Sequence, residues 1–141
     1  MSVEENKAMA RRYVEEVNKG NLAVVDELFA ADCVLHLAGG QEIRGPEGVK
    51  QVFTMLFTAF PDYHMTVEDR VAEGDRVVTR FTFTGTHKGD LMGIAATGKQ
   101  VTGTVISISR FVGGKVVETR QVADMLGLMQ QIGAIPTPGQ G

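Results

Sequence analysis

The chain has no tryptophan, one cysteine, four prolines and no long apolar run. The lone thiol of Cys33 cannot form an intramolecular disulfide. One thiol with three scattered histidines also fits no zinc-ligand spacing, so neither staple is expected. No stretch approaches the roughly 18 apolar residues of a spanning helix, which argues against a membrane protein. The opening MSVEENKAMARRYVEE is charged within four residues and lacks an apolar core or cleavage site. It does not read as a signal peptide, and the expected compartment is the cytoplasm. Acids and bases intermix to a net charge of −3, without a basic stripe or an acidic tail, so nucleic acid is not an expected partner. Glycines number 17, yet they form no GxxxxGKS or GxGxxG phosphate loop, and no Ser-His-Asp order with a nucleophile elbow is present.

What is present is strongly patterned. A length of 141 residues suits one domain that buries about two-thirds of its unfolded surface and folds without crosslinks. Ser2 and Glu5 have capping-box spacing, and Met9, Ala10, Tyr13, Val14 and Val17 recur at helical intervals, predicting a first helix that ends at Gly20. Asn21 can cap a second, shorter helix carrying Leu22, Val25, Leu28 and Phe29. Asp32 opens a short extended run, DCVLHL, and GGQEIRGPEG reads as turns. Pro46 suits the first turn of a third helix, whose Val49, Val52, Phe53, Leu56, Phe57 and Phe60 make the clearest amphipathic stripe, stopped at Phe60-Pro61.

Beyond Asp62 the pattern becomes β-branched alternation. YHMTVEDRVAE and RVVTRFTFTGTH predict two long strands joined at Gly74-Asp75. A Gly-rich loop leads to QVTGTVISISRFV, and Gly113-Gly114 turns this third strand into KVVETRQVA. A short helix from Met125 to Ile132 stops at Gly133. With no repeat or linker, helices first and an antiparallel sheet second predict one α+β domain over 1–141, with a core of about 4–133 and a frayed tail at 134–141. Strands this long curl, and three helices on the concave side give a cone that either fills with side chains or keeps a hole at its wide end. Seven methionines and seven phenylalanines serve either outcome.

The run TGTHKGDLMGIAATGKQV, followed by SRFVGGKVVETRQVADMLGLMQQIG, resembles the SnoaL-like polyketide cyclase or ester cyclase family of the nuclear-transport-factor-2-like superfamily. YVEEVNKGN, DELFAADCVLH and RGPEGVKQVF are similar too, so the resemblance spans nearly residues 4 to 133. It implies a cystatin-like α+β barrel: a cone-shaped curved antiparallel sheet of about four long strands plus a short one, under three N-terminal helices. It further implies a hydrophobic small-molecule substrate, no cofactor, no metal, and a homodimer or higher oligomer paired through the outer sheet face. In cyclases of the family an aspartate just before the last helix is the base of an intramolecular aldol ring closure, and Asp124 stands at that place. The family often has tryptophan where this chain has Arg120, and a histidine near Arg110. The fold also hosts isomerases, epoxide hydrolases, hydroxylases and plain binders.

An aldol closure needs a base for an acidic C–H and a group to hold the enolate oxygen. Burial on an apolar wall strengthens a carboxylate as a base, whereas capping a helix weakens it, and Asp124 is placed for either role. Arg120 shares strand parity with Asp124, so it faces either the substrate or the solvent beside it. Arg110 lies opposite Val117 or Glu118 according to the hairpin loop, and only the second pairing puts it on the face of Arg120. His87, at a strand end in His87-Lys88-Gly89, offers a hydrogen bond to a substrate oxygen or a structural one. His36 ends DCVLHL, where the family has an inward polar residue, and Tyr13 lies on the buried stripe of the first helix, open to a pocket or a core role. An aspartate-arginine set that adds water to an epoxide is the rival chemistry, and a non-catalytic small-molecule carrier the rival without chemistry.

Overall fold

The computed structural model describes residues 2–136. From residue 137 on, the tail expected to fray lies outside the described residues. Helix α1 spans Val3–Asn18, and its capping box forms: Glu5 N–H donates to Ser2 Oγ at 3.1 Å while Ser2 N–H donates to Glu5 Oε1 at 3.2 Å. Helix α2, Ala23–Leu28, starts without a side-chain cap. Asn21 instead donates its side-chain amide to Glu16 Oε2 at 3.0 Å, which corrects the expectation that it caps α2.

Strand β1, Phe29–His36, follows α2 directly and turns back into β2, Glu42–Arg44, three residues that glycine-rich surroundings disguise as turn. Helix α3 spans Gly45–Ala59 with Pro46 in its first turn. The long strands are β3, His64–Glu73; β4, Arg76–Thr86; β5, Gln100–Val112; and β6, Lys115–Ala123. Helix α4, Met125–Gln131, follows.

The six strands form one curved, unclosed sheet in the order β2-β1-β6-β5-β4-β3. All pairs are antiparallel except β1 with β6, which run parallel. An all-antiparallel sheet is therefore corrected, because α3 and the β3–β5 meander carry the chain around before β6 returns beside β1. Bulges interrupt β3–β4 between Val67 and Asp69, and β5–β6 at Arg110/Phe111, where Val117 is the extra residue. Two side-chain amides clamp free strand edges. Asn18 of α1 exchanges hydrogen bonds with both backbone groups of Met65, each at 2.9 Å, and Gln131 of α4 does the same for Thr102 at 2.8 and 2.7 Å. The helices are thereby fixed over the inner face, where one cluster of buried side chains runs from Val14 and Val17 through Phe53 and Phe60 to Val77, Phe83, Val105 and Phe111.

Candidate functional site

Packing stops short of filling the space between helices and sheet, leaving a cavity of about 240 Å³. That is room for a small organic molecule rather than for one or two waters. Met9, Ala10 and Tyr13 of α1 and Val52, Met55 and Leu56 of α3 line one side. The inner faces of β4, β5 and β6 make the floor: Val77, Thr79, Phe81 and Phe83; Val105, Ser107, Ser109 and Phe111; Val116, Thr119, Gln121 and Ala123. Leu91 and Met92 reach in from the loop 88–99. Leu91 and Ile94 exchange two backbone hydrogen bonds, at 2.9 and 2.8 Å, in a tight turn that holds Leu91 inward, with Met92 in the left-handed region at φ 48°. The base of this loop is fixed by Lys88 and Gly89 N–H donating to Ala59 O. A Cβ on Gly89 would overlap the Thr58 carbonyl, so only glycine allows that approach.

Among the described residues no lysine, arginine, histidine, aspartate or glutamate lines the cavity. Its ionisable groups are the phenols of Tyr13 and Tyr63. Tyr13 sits between Phe29 and Phe53, with centroids 5.2 and 6.0 Å away, and Tyr63 stacks on Phe83 at 5.7 Å. Burial pushes both phenols well above the usual tyrosine range, and Tyr13 is raised further by Tyr63 and Cys33 nearby. Both therefore remain hydrogen-bond donors. Ser109 and Thr119 satisfy one another at 2.9 Å, whereas Thr79, Ser107 and Gln121 have no side-chain partner among the described residues.

The residues singled out from sequence separate sharply. Tyr13 lines the cavity. Asp124 lies at its rim, between the lining residues Ala123 and Met125, and is exposed. Its Oδ1 accepts from Gly127 N–H at 2.8 Å as the cap of α4, and among the described residues Oδ2 has no partner. A Cβ on Gly127 would overlap this carboxylate, so the glycine makes room for the cap.

The bulge at Val117 settles the facing of Arg110 and Arg120. Arg110 stands opposite Glu118, and since Thr119 and Gln121 face inward, Glu118 and Arg120 face outward. Arg120 lies 3.4 Å from Glu118 and is 64% exposed. His36 pairs with Arg120 across β1–β6 and also faces outward rather than inward, its Nε2 3.0 Å from Glu118 Oε2. That hydrogen bond, with Arg120 and Arg110 beside it, holds the Glu118 carboxyl below its ordinary pKa. His87 is fully buried but outside the cavity lining, packed against Phe60 at 5.8 Å. Its Nδ1 lies 3.0 Å from Thr97 Oγ1, Nε2 has no partner among the described residues, and its backbone bonds to Lys99 and Gly98 place it at the foot of the loop. Sequence reasoning missed Tyr63, Thr79, Ser107 and Gln121; the available signal was the shared parity of Thr79 with Val77 and of Ser107 with Val105.

Among the described residues no cluster of His, Cys, Asp and Glu could hold a metal, and no helix is long and apolar enough to cross a membrane. The SnoaL-like polyketide cyclase family description matches residues 7–132. Aklanonic acid methyl ester cyclase DnrD of Streptomyces peucetius is 33% identical over 134 residues, covering 92% of each chain. DauD of Streptomyces sp. strain C5, an enzyme of the same name, is 33% identical over 139 residues, 92% of this chain and 83% of that one. Among solved structures, AclR of Streptomyces galilaeus superposes with a TM-score of 0.86 at 34% identity, covering 96% of this chain and 85% of its own. IdmH of Streptomyces antibioticus does so at 0.81 and 33%, covering 91% and 98%. Cyclases thus share the sequence, and solved proteins share the sheet and helices that enclose the cavity: the chain belongs to the SnoaL-like polyketide cyclase family.

Proposed function

We propose that the chain is a cofactor-independent cyclase that closes a ring in a hydrophobic carbonyl compound by an intramolecular aldol reaction. The substrate lies in the cavity, and Asp124 takes its proton. One observation carries this reading: Asp124 is the one acid whose two chain neighbours both line an otherwise uncharged chamber. The cap occupies Oδ1 and leaves Oδ2 available. Asp124 removes a proton from carbon between two carbonyls, and the enolate carbon attacks a ketone of the same molecule. The new alkoxide recovers the proton from the carboxylic acid. Atoms balance as an isomerisation, so the chemistry needs no added reagent. Protonated Tyr13 and Tyr63 are the donors suited to the enolate oxygen. The epoxide reading has less support, because Arg120 pairs with Glu118 on the opposite face of the sheet.

The test is Asp124→Asn, which keeps an oxygen for the cap and removes the base. With aklanonic acid methyl ester, the compound named for the relatives, as first substrate, turnover falls about 10²- to 10⁴-fold, the range spanned by general-base catalysis. Turnover by the variant at the wild-type rate would reject Asp124 as the base, whereas binding without turnover by the wild-type protein would leave the carrier reading.

The outer sheet face carries exposed Ile106, Ile108, Val112 and Val122. A second copy covering this face makes the protein a homodimer, with the cavities on the sides away from the interface.

A further inference from the structure

Resting on the cavity as the substrate site, we propose that Met55, Met92 and Met125 form a peroxide-sensitive mouth, whose oxidation to sulfoxides shuts the chamber to apolar molecules. Of the described residues that line the cavity, four are exposed to solvent: Gln41, Met55, Met92 and Met125. A side chain that lines the chamber and also meets solvent stands where the chamber opens, so three of these four groups at the mouth are thioethers. They come from three separate elements. Met55 lies in α3 and is 45% exposed, Met92 lies in the loop 88–99 at 58%, and Met125 opens α4 at 36%. The backbone sets Met92 there: it sits at φ 48° inside the turn closed by Leu91 and Ile94, so that Leu91 is buried while Met92 stands out. Met65 also lines the cavity, but at 3% exposure it lies away from the opening.

Methionine is unbranched, flexible and apolar, so three of them at an opening part for an apolar molecule and pack against it once it is inside. The same sulfur reacts with peroxides, and solvent exposure governs which sulfurs react. A sulfur lone pair attacks one oxygen of hydrogen peroxide. The S–O bond forms as the O–O bond breaks, the transferred oxygen gives its proton to the departing hydroxide, and water leaves. Sulfur is oxidised by two electrons and the peroxide reduced by two, so nothing else is consumed. The sulfoxide is polar, and its oxygen holds water that an apolar molecule must strip away without replacing the hydrogen bonds lost. Oxidation therefore reverses the character of the opening while leaving the buried core apolar. The remaining sulfur, in Cys33, does not compete: it is 1% exposed, and burial pushes its thiol pKa up, so the thiolate that peroxides attack is scarce.

The test treats the full chain with hydrogen peroxide. Peptide mass spectrometry follows oxygen uptake at each methionine, and fluorescence follows binding of the uncharged apolar probe N-phenyl-1-naphthylamine. Met55, Met92 and Met125 are expected to gain one oxygen each before Met65 gains any, and affinity for the probe to fall about tenfold with the circular dichroism unchanged. Methionine sulfoxide reductases of both epimer specificities then restore the affinity. A variant carrying Met55→Leu, Met92→Leu and Met125→Leu keeps, through the same treatment, whatever affinity it has beforehand. Wild-type protein oxidised at all three positions that still binds the probe as before overturns the proposal, and this result needs no variant to fold. Oxidation of Met65 as fast as the other three, failure of the reductases to restore binding, or an equal loss in the leucine variant also overturns it. If the untreated wild-type protein does not bind the probe, the cavity reading fails and the mouth fails with it.

Discussion

The two tyrosines are the chain's only ones, and both stand in the cavity wall. Burial lifts both phenols above their unfolded value of about 10. A folded pKa above the unfolded one means stability that is complete below about pH 10 and lost as the pH rises past it, because only the unfolded chain can release the proton there. An alkaline titration will therefore show phenolate absorbance rising together with the loss of circular dichroism, in one transition. Phenolate appearing while the fold persists would place a hydroxyl in water and remove it as a donor to substrate. Tyr13 was legible because helical spacing put it on the inner stripe of α1. Thr79, Ser107 and Gln121 were not, because hydroxyl residues and glutamine are ordinary in strands, and their place in the cavity wall shows only once the fold brings the strands together. His36 and His87 drew notice for their chemistry, yet one bonds Glu118 outside the sheet and the other foots a loop.

Elements defined by local chemistry were readable from sequence, and elements defined by distant partners were not. The capping box, Pro46 and the Gly74-Asp75 turn act over a few residues, so α1, α3 and the β3–β4 hairpin stand where spacing put them. β2 is three residues long and exists only because β1 pairs with it, and the parallel β1–β6 contact joins residues more than eighty apart in the chain. α4 offers a test at this scale. Gly127→Ala gains about 1 kcal/mol of helix propensity, while displacing the Asp124 cap costs about 1 kcal/mol. The melting temperature should thus stay nearly constant while turnover drops at least tenfold, since the carboxylate is pushed from its place. Unchanged turnover would mean that the cap does not position the base.

For the whole molecule, the exposed apolar face of β5 and β6 leads to an association test. Light scattering is expected to give twice the chain mass, and Ile106→Lys with Val122→Glu to give the monomer with its circular dichroism intact. A wild-type protein that remains monomeric at assay concentrations would reject pairing through this face.

The curled sheet has two sides of opposite electrical character, and a single unpaired residue decides which side the helices cover. Were Val117 drawn into the ladder, β6 would slip by one place against β5. A carboxylate and a guanidinium from Glu118 and Arg120 would then enter the oily chamber, while Thr119 and Gln121 turned to water. The neutrality of the vessel is thus a matter of counting along the backbone beside a glycine turn, and a change of loop length there would exchange a container for greasy molecules for one that seeks ions.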